Sequence, residues 1–208
     1  MTIEPPIGIT EPNLLLVEGN EDVFFFKALM KYQKLQNVQI INVKGTSNFE
    51  PVLKAISSSP QFKTTVISLG VVRDADTDSD LAFKCVADAL ESANLPVPDF
   101  ALVPKGENPY VTVMILPEEG EPGMLEDLCL KSVEADPAMF CVKQYCQCLQ
   151  QKCPSLPKNT SKAKVHVFLA SRKEVGKGLG VAARDGCWPF HDAAFDEVKR
   201  FLEMVSNY

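Results

Sequence analysis

The stretch NLLLVEGNEDVFFF, residues 13–26, places an apolar run, an acidic turn and a helix-spaced apolar pattern in immediate succession. Asn13 to Val17 is short, apolar and bounded by Pro12 and Glu18-Gly19, which predicts a buried strand followed by a sharp turn. Glu21 to Leu35 carries Val23, Phe24, Phe26, Leu29, Met30 and Leu35 at helical spacing, with Phe25 widening the buried face. Val38 to Val43, VQIINV, then alternates as a second strand.

Strand and helix patterns keep alternating downstream, without an internal sequence repeat. Asn48 to Ser57 predicts a second helix, with Phe49, Val52, Leu53 and Ile56 on one stripe, stopped by Pro60. Thr64 to Val72, TTVISLGVV, is β-branched and apolar with almost no polar alternation, as expected of a central strand covered on both faces. It runs into Arg73-Asp74-Ala75-Asp76. Asp78, Ser79 and Asp80 offer N-cap oxygens to a third helix, Leu81 to Ala93, with Phe83, Val86, Ala87 and Leu90 in period. Alternating strands and helices predict an α/β fold, a mostly parallel sheet flanked by helices on both faces.

Beyond Pro96 and Pro98 two short strand candidates appear, Phe100 to Val103 and Tyr110 to Leu116, separated by Pro104, Gly106 and Pro109. Pro117 to Gly123 is a loop opening into a short helix over Met124 to Val133, and Ala138 to Cys153 predicts another. Pro154 to Ser161 has loop composition. For Ala163 to Lys173, VHVF favours strand while Val165, Phe168 and Leu169 favour helix, the preferred reading; Gly176 to Gly180 is read as a glycine-rich turn, and Phe190 to Val205 as a closing helix. Trp188, Pro189 and Phe190 are expected to pack that helix. The reading is one domain over residues 1–208, with a core of about 13–130 and a C-terminal helical extension of about 131–208.

Composition narrows the class. With 208 residues, 46% hydrophobic and 23% charged, the chain can bury a full core. No apolar run reaches the ~20 residues that span a bilayer. The start, MTIEPPIGIT, lacks the basic flank and apolar stretch of a signal peptide, so the expectation is a cytoplasmic protein without membrane association. Seven cysteines, an odd number, favour free thiols over a disulfide framework. Four fall between Cys141 and Cys153, but not at paired zinc-ligand spacing. On a helix, positions 141, 145, 148 and 152 share a side, so Cys141 and Cys148 are expected in the core. The net charge of −6 argues against a broadly basic nucleic-acid surface. Lys158, Lys162, Lys164, Arg172, Lys173 and Lys177 read as an ordinary solvated face. His166 and His191 lie far apart without ligand spacing.

Chemistry concentrates at two turns. Glu18 follows the first strand and Asp74 with Asp76 follows the third, and in an open parallel sheet the crevice outside the carboxyl ends of the strands is where ligands bind. Gly19 supplies a turn residue without a Cβ, and Asp22, four positions after Glu18, is expected to point to the same cleft. Asp74 and Asp76, two apart, would project from one side of an extended segment and reach one cation. Crowded carboxylates have raised pKa values unless a cation compensates, and Mg²⁺ (or Mn²⁺) suits oxygen donors of this kind. Each acid taken alone also fits a helix N-terminus. GKGLG at residues 176–180 lacks the phosphate-loop pattern and is read as a turn.

LLLVEGNEDVFFF followed by VVRDADTD resembles the TOPRIM signature, a Glu-Gly after the first strand and an Asp-x-Asp after the third, shared by topoisomerases, bacterial primases and OLD-family nucleases. GMLEDLCL, residues 123–130, is similar to a segment in an uncharacterised TOPRIM-like family known as a domain of unknown function. The resemblance spans about residues 13 to 130. It implies a TOPRIM-like, Rossmann-like fold, Glu18 as general acid or base and as a further candidate metal ligand, and Asp74 and Asp76 as Mg²⁺ ligands. Glu126 or Asp127 would add a second-metal ligand, with a helix-start role for these two acids equally open. No topoisomerase tyrosine context, no preceding ATPase domain and no identifiable phosphate-steadying lysine accompany it. The implied function is a Mg²⁺-dependent nuclease or related phosphodiester-transfer protein acting on nucleic acid. The alternative is a non-catalytic metal- or nucleotide-binding module working through a protein partner. Nothing in the sequence specifies a homo-oligomer.

Overall fold

The computed structural model describes residues 8–207. Four strands, β1 (Asn13–Val17), β2 (Val38–Asn42), β3 (Ser68–Asp74) and β4 (Tyr110–Leu116), form one sheet in the order β2-β1-β3-β4. Every pairing is parallel, with Leu15 opposite Ile40 and Gly70, and Val71 opposite Val113. The fold is α/β and Rossmann-like.

Parallel neighbours need a crossover, and helices supply it. Those described are α1 (Asn20–Gln33), α2 (Phe49–Ser57), α3 (Pro60–Thr65), α4 (Ser79–Ser92), α5 (Leu125–Ser132), α6 (Ala138–Lys152), α7 (Thr160–Ala170), α8 (Leu179–Arg184) and α9 (Asp196–Ser206). Strand residues alternate between the two layers. Leu14, Leu16, Leu69, Val71, Val111 and Val113 meet Phe49, Leu53, Ile56, Phe62, Val86 and Leu90 from α2, α3 and α4. On the other face Leu15, Val17, Val72 and Met114 meet Phe25, Phe26 and Leu29 of α1 together with apolar residues of α5 to α9. In α9, Val198, Phe201, Leu202 and Val205 are all buried, and the helix lies on β1, β3 and β4. Trp188 stacks on Phe168 of α7, while Phe190 meets Phe195 and Phe25 edge to face. Among the described residues no helix is long and apolar enough to cross a membrane.

Several boundaries differ from the sequence expectation, each for a local reason. Thr64 and Thr65 end a helix instead of starting β3. The Ser59 hydroxyl accepts from the Phe62 N–H and Pro60 occupies the first turn, so the proline expected to stop a helix begins one. Phe100 to Val103 is a turn, not a strand. Leu102 and Lys105 nevertheless hydrogen-bond the backbone of Val113 and Val111, covering part of the β4 edge. Cys141 and Cys148 are exposed, because α6 turns Met139 and Val142 inward. All seven cysteines are unpaired. The helix expected over Ala163 to Lys173 starts earlier, at Thr160, where Asn159 caps it through the Lys162 N–H. The turn expected at Gly176 to Gly180 gives way to α8 at Leu179, and the closing helix starts at Asp196 after a 3₁₀ turn over Ala193–Phe195.

Two glycines decide close contacts. A Cβ on Gly70 would sit 2.6 Å from Val205 and 3.0 Å from Phe201, so the centre of β3 is bare where α9 crosses it. A Cβ on Gly180 would sit 2.5 Å from the Glu21 carbonyl oxygen, so α8 packs backbone against α1. Gly180→Ala is expected to lower stability by about 1–3 kcal/mol through overpacking against rigid backbone. Gly8→Ala, in open space, is the neutral control, and urea denaturation of both variants is the check.

Candidate functional site

Three strand or helix ends build the cleft. Glu18 leaves β1, Asp74 is the last residue of β3, and Glu126 lies in the first turn of α5. Together with Gly19, Asn20, Glu21 and Asp22 of the first crossover, Asn42, Lys44 and Gly45 beside β2, and Leu125 and Lys162, they line a cavity of about 600 Å³. The crevice at the carboxyl ends of the strands thus gathers Glu18, Asp22, Asp74 and Glu126.

Local hydrogen bonds fix these side chains. The Gly19 N–H donates to Asp22 Oδ2 at 2.8 Å, and the Glu18 carbonyl accepts from Gly45 N–H at 2.9 Å, tying the loop after β2 to the loop after β1. Gly19 itself is extended, with φ −142°, a conformation open to any residue. A Cβ there would stand 3.3 Å from Asp22 Oδ2, so closeness to that carboxylate, and not a special turn, is what glycine serves. Asp74 Oδ1 accepts from the Leu125 N–H at 3.0 Å, at the amino end of α5. Glu21, also on the cleft lining, is engaged elsewhere: its Oε2 accepts from Gly180 N–H and fastens α8.

Asp76 and Asp127 are placed differently from the sequence expectation. The chain does not stay extended through Asp74-Ala75-Asp76. Ala75 is buried, Asp76 turns left-handed at φ 53°, and its N–H and C=O both pair with Gly123. Asp76 is therefore exposed and lines a neighbouring recess with Asp127, Lys158, Asn159 and Ser161. It stays close enough for its charge to act on Glu18. Asp127 accepts from Met124 N–H at 3.0 Å and from the Ser161 hydroxyl at 2.5 Å, joining the start of α5 to the start of α7.

Sequence reasoning set Lys162 among solvated lysines. In the fold the first turn of α7 carries it over the cleft, its Nζ 3.8 Å from Glu126 Oε1. Its charge lowers the pKa values of Glu18, Asp22 and Glu126. A pattern search finds no signal for this, because the contact joins elements far apart in the chain.

The electrostatics are those of crowded carboxylates. Burial pushes the Asp22 carboxyl up to about 6 against the stabilising Gly19 N–H. Burial, with repulsion from Asp22, Glu18 and Glu126, holds Asp74 well above the usual carboxylate range. Glu18 is raised by burial, then by Asp22 and Asp76, and Glu126 is raised chiefly by burial. Glu18 Oε2 is buried with no hydrogen-bond partner. An orphaned carboxylate oxygen among like charges is an all-oxygen donor set that fits a hard divalent cation. Among the described residues no three His, Cys, Asp or Glu side chains are already gathered closely enough to hold a metal ion.

A family model described as a protein of unknown function (DUF3226) matches residues 12–207. The chain belongs to that family. No curated protein and no solved structure matches it. The DUF3226 match covers β1 through α9, so the acidic cleft and the helix that carries Lys162 both lie inside the family's own extent.

Raised carboxyl pKa values make stability depend on pH in the unusual direction. Unfolded Asp22 loses its proton near 3.8 and folded Asp22 near 6, so the native state holds more protons between those values. Stability contributed by the protonated form is complete below the lower value and is lost as pH rises through the upper one. For this partly buried group the loss is about 1–2 kcal/mol, discounted for solvent screening. Asp22→Asn is expected to be more stable than the wild type above pH 6 and to show a smaller decline between pH 4 and 6. Denaturant titrations of both proteins at several pH values, without divalent cations, measure the difference.

Proposed function

We propose that the cleft binds a divalent cation, Mg²⁺ or Mn²⁺, and that the protein is a metal-dependent nuclease or related phosphodiester-transfer protein with a TOPRIM-like site. The observation that carries this reading is the buried, unpartnered Glu18 Oε2 beside Asp22 and Asp74, carboxyl groups whose crowding backbone N–H groups and Lys162 offset only in part. Asp22, Asp74 and Glu126 would hold the cation, and Asp76 would contribute from the rim after a rotamer change. When bound, the ion supplies charge neutralisation at a phosphoryl oxygen and lowers the pKa of a coordinated water.

The chain's own groups do the rest. Glu18, its pKa raised by burial, is the group placed to exchange a proton at the reacting centre. Lys162, exposed over Glu126, can attract and orient a substrate phosphate. The TOPRIM resemblance of Glu18-Gly19 and Asp74-Ala75-Asp76 supports the assignment to phosphodiester chemistry on nucleic acid. A second reading, a metal- or nucleotide-binding module acting through a protein partner, is favoured by the net charge of −6, which gives little long-range attraction for a polyanion.

Calorimetry and cleavage assays separate the two readings. Wild-type protein is expected to bind Mn²⁺ in EDTA-free buffer, and Asp74→Asn to weaken binding at least about tenfold, a loss of about 1.4 kcal/mol or more. Glu18→Gln is expected to keep most of the binding and lose cleavage of an oligonucleotide panel. Binding without cleavage in the wild type selects the module, and no binding of Mg²⁺ or Mn²⁺ sinks the metal site.

A further inference from the structure

The side of β3 opposite Asp74 carries a cation, Arg73. Along the strand Leu69 and Val71 face α2 and α4, whereas Val72 faces α1, so alternation sends Arg73 to the α2–α4 side. There it lines a pocket of about 390 Å³ with Thr46, Ser47, Phe49, Glu50, Cys85, Asp88, Ala89 and Ser92. That size lies within the range of small-ligand sites, about 300–1,000 Å³. The Arg73 Nε is buried and makes no hydrogen bond. A guanidinium has five donors and remains charged at any physiological pH, so a buried unpaired N–H on it is costly unless an anion completes it.

We infer that Arg73, with the hydroxyls of Thr46 and Ser47, forms a docking site for a phosphate group. Thr46 and Ser47 open the 3₁₀ turn Thr46–Asn48, and both line the same pocket as Arg73, Ser47 exposed and Thr46 half-buried. Two carboxylates share the pocket. Glu50 is engaged by Lys54 at 2.5 Å, and Asp88 stands exposed, where it opposes an anion and tunes its affinity downward. A guanidinium and hydroxyls are the donor types that recognise phosphate oxygens. Because Lys44 and Gly45 line the acidic cleft and Thr46 and Ser47 line this pocket, one short loop separates the two sites. The inference goes beyond the metal reading and does not depend on it.

Cys85, exposed on the pocket wall, reports occupancy. Its alkylation by iodoacetamide would be followed by peptide mass spectrometry in EDTA at constant ionic strength, with exposed Cys148 on α6 as internal reference. Inorganic phosphate at about twice its Kd is expected to slow Cys85 about threefold by mass action, leaving Cys148 unchanged. Arg73→Gln, or Thr46→Ala with Ser47→Ala should the first variant fail to fold, is expected to remove the protection, and Asp88→Asn to strengthen it. A 5′-phosphorylated oligonucleotide compared with its 5′-hydroxyl form tells a carried phosphate from the free ion. Absence of protection by either probe, protection that survives in folded Arg73→Gln, or weaker protection in Asp88→Asn overturns the assignment.

Discussion

Everything distinctive about this molecule follows from parallel pairing of β1 with β3. Parallel neighbours end at the same edge, so the residues that leave β1 and β3 emerge side by side. Both carry carboxylates there, and the helices returning from that edge add Asp22 and Glu126. Like charges are brought together in a place with little water, and backbone N–H groups from Gly19 and Leu125 offset part of the cost. The apolar sheet beneath, with both layers fully packed, supplies the free energy that holds the charges in place.

The C-terminal helices belong to the same arrangement. Phe201 and Val205 of α9 press on the bare centre of β3 at Gly70, and α8 docks on α1 through Gly180 and the Glu21 carboxylate. Asp127 and Ser161 bridge α5 to α7. Through that bridge α7 presents Lys162 to the cleft, the single cationic side chain with an ion-pair distance to its acids among the described residues. Packing at one face of the sheet therefore sets the charge balance at its edge.

The strand end at Arg73-Asp74 divides the chemistry between the two layers. Alternation gives the acid to the α1 side and the base to the α2–α4 side, although they are adjacent in sequence. Arg73 acts across the sheet end on Glu18, lowering its pKa against burial and against Asp22 and Asp76. The edge is thus polarised, with carboxylates on one flank and a guanidinium on the other.

The sequence by itself determined the parallel α/β sheet, because strand and helix periodicity and the breakers between them are local properties, as at Asn13–Val17 and Leu81–Ala93. It also determined which turns carry the acids, since Glu18, Asp22 and Asp74 directly follow or flank those strands. Only tertiary structure decided which acids share a cleft. Asp76 leaves the expected direction because its backbone pairs with Gly123, and Asp127 because a serine on α7 engages it. The inward face of α6, the helix at Pro60 and the position of Lys162 were equally hidden. Each depends on which surface arrives opposite it, and that is a property of chain segments meeting from a distance, not of their own order.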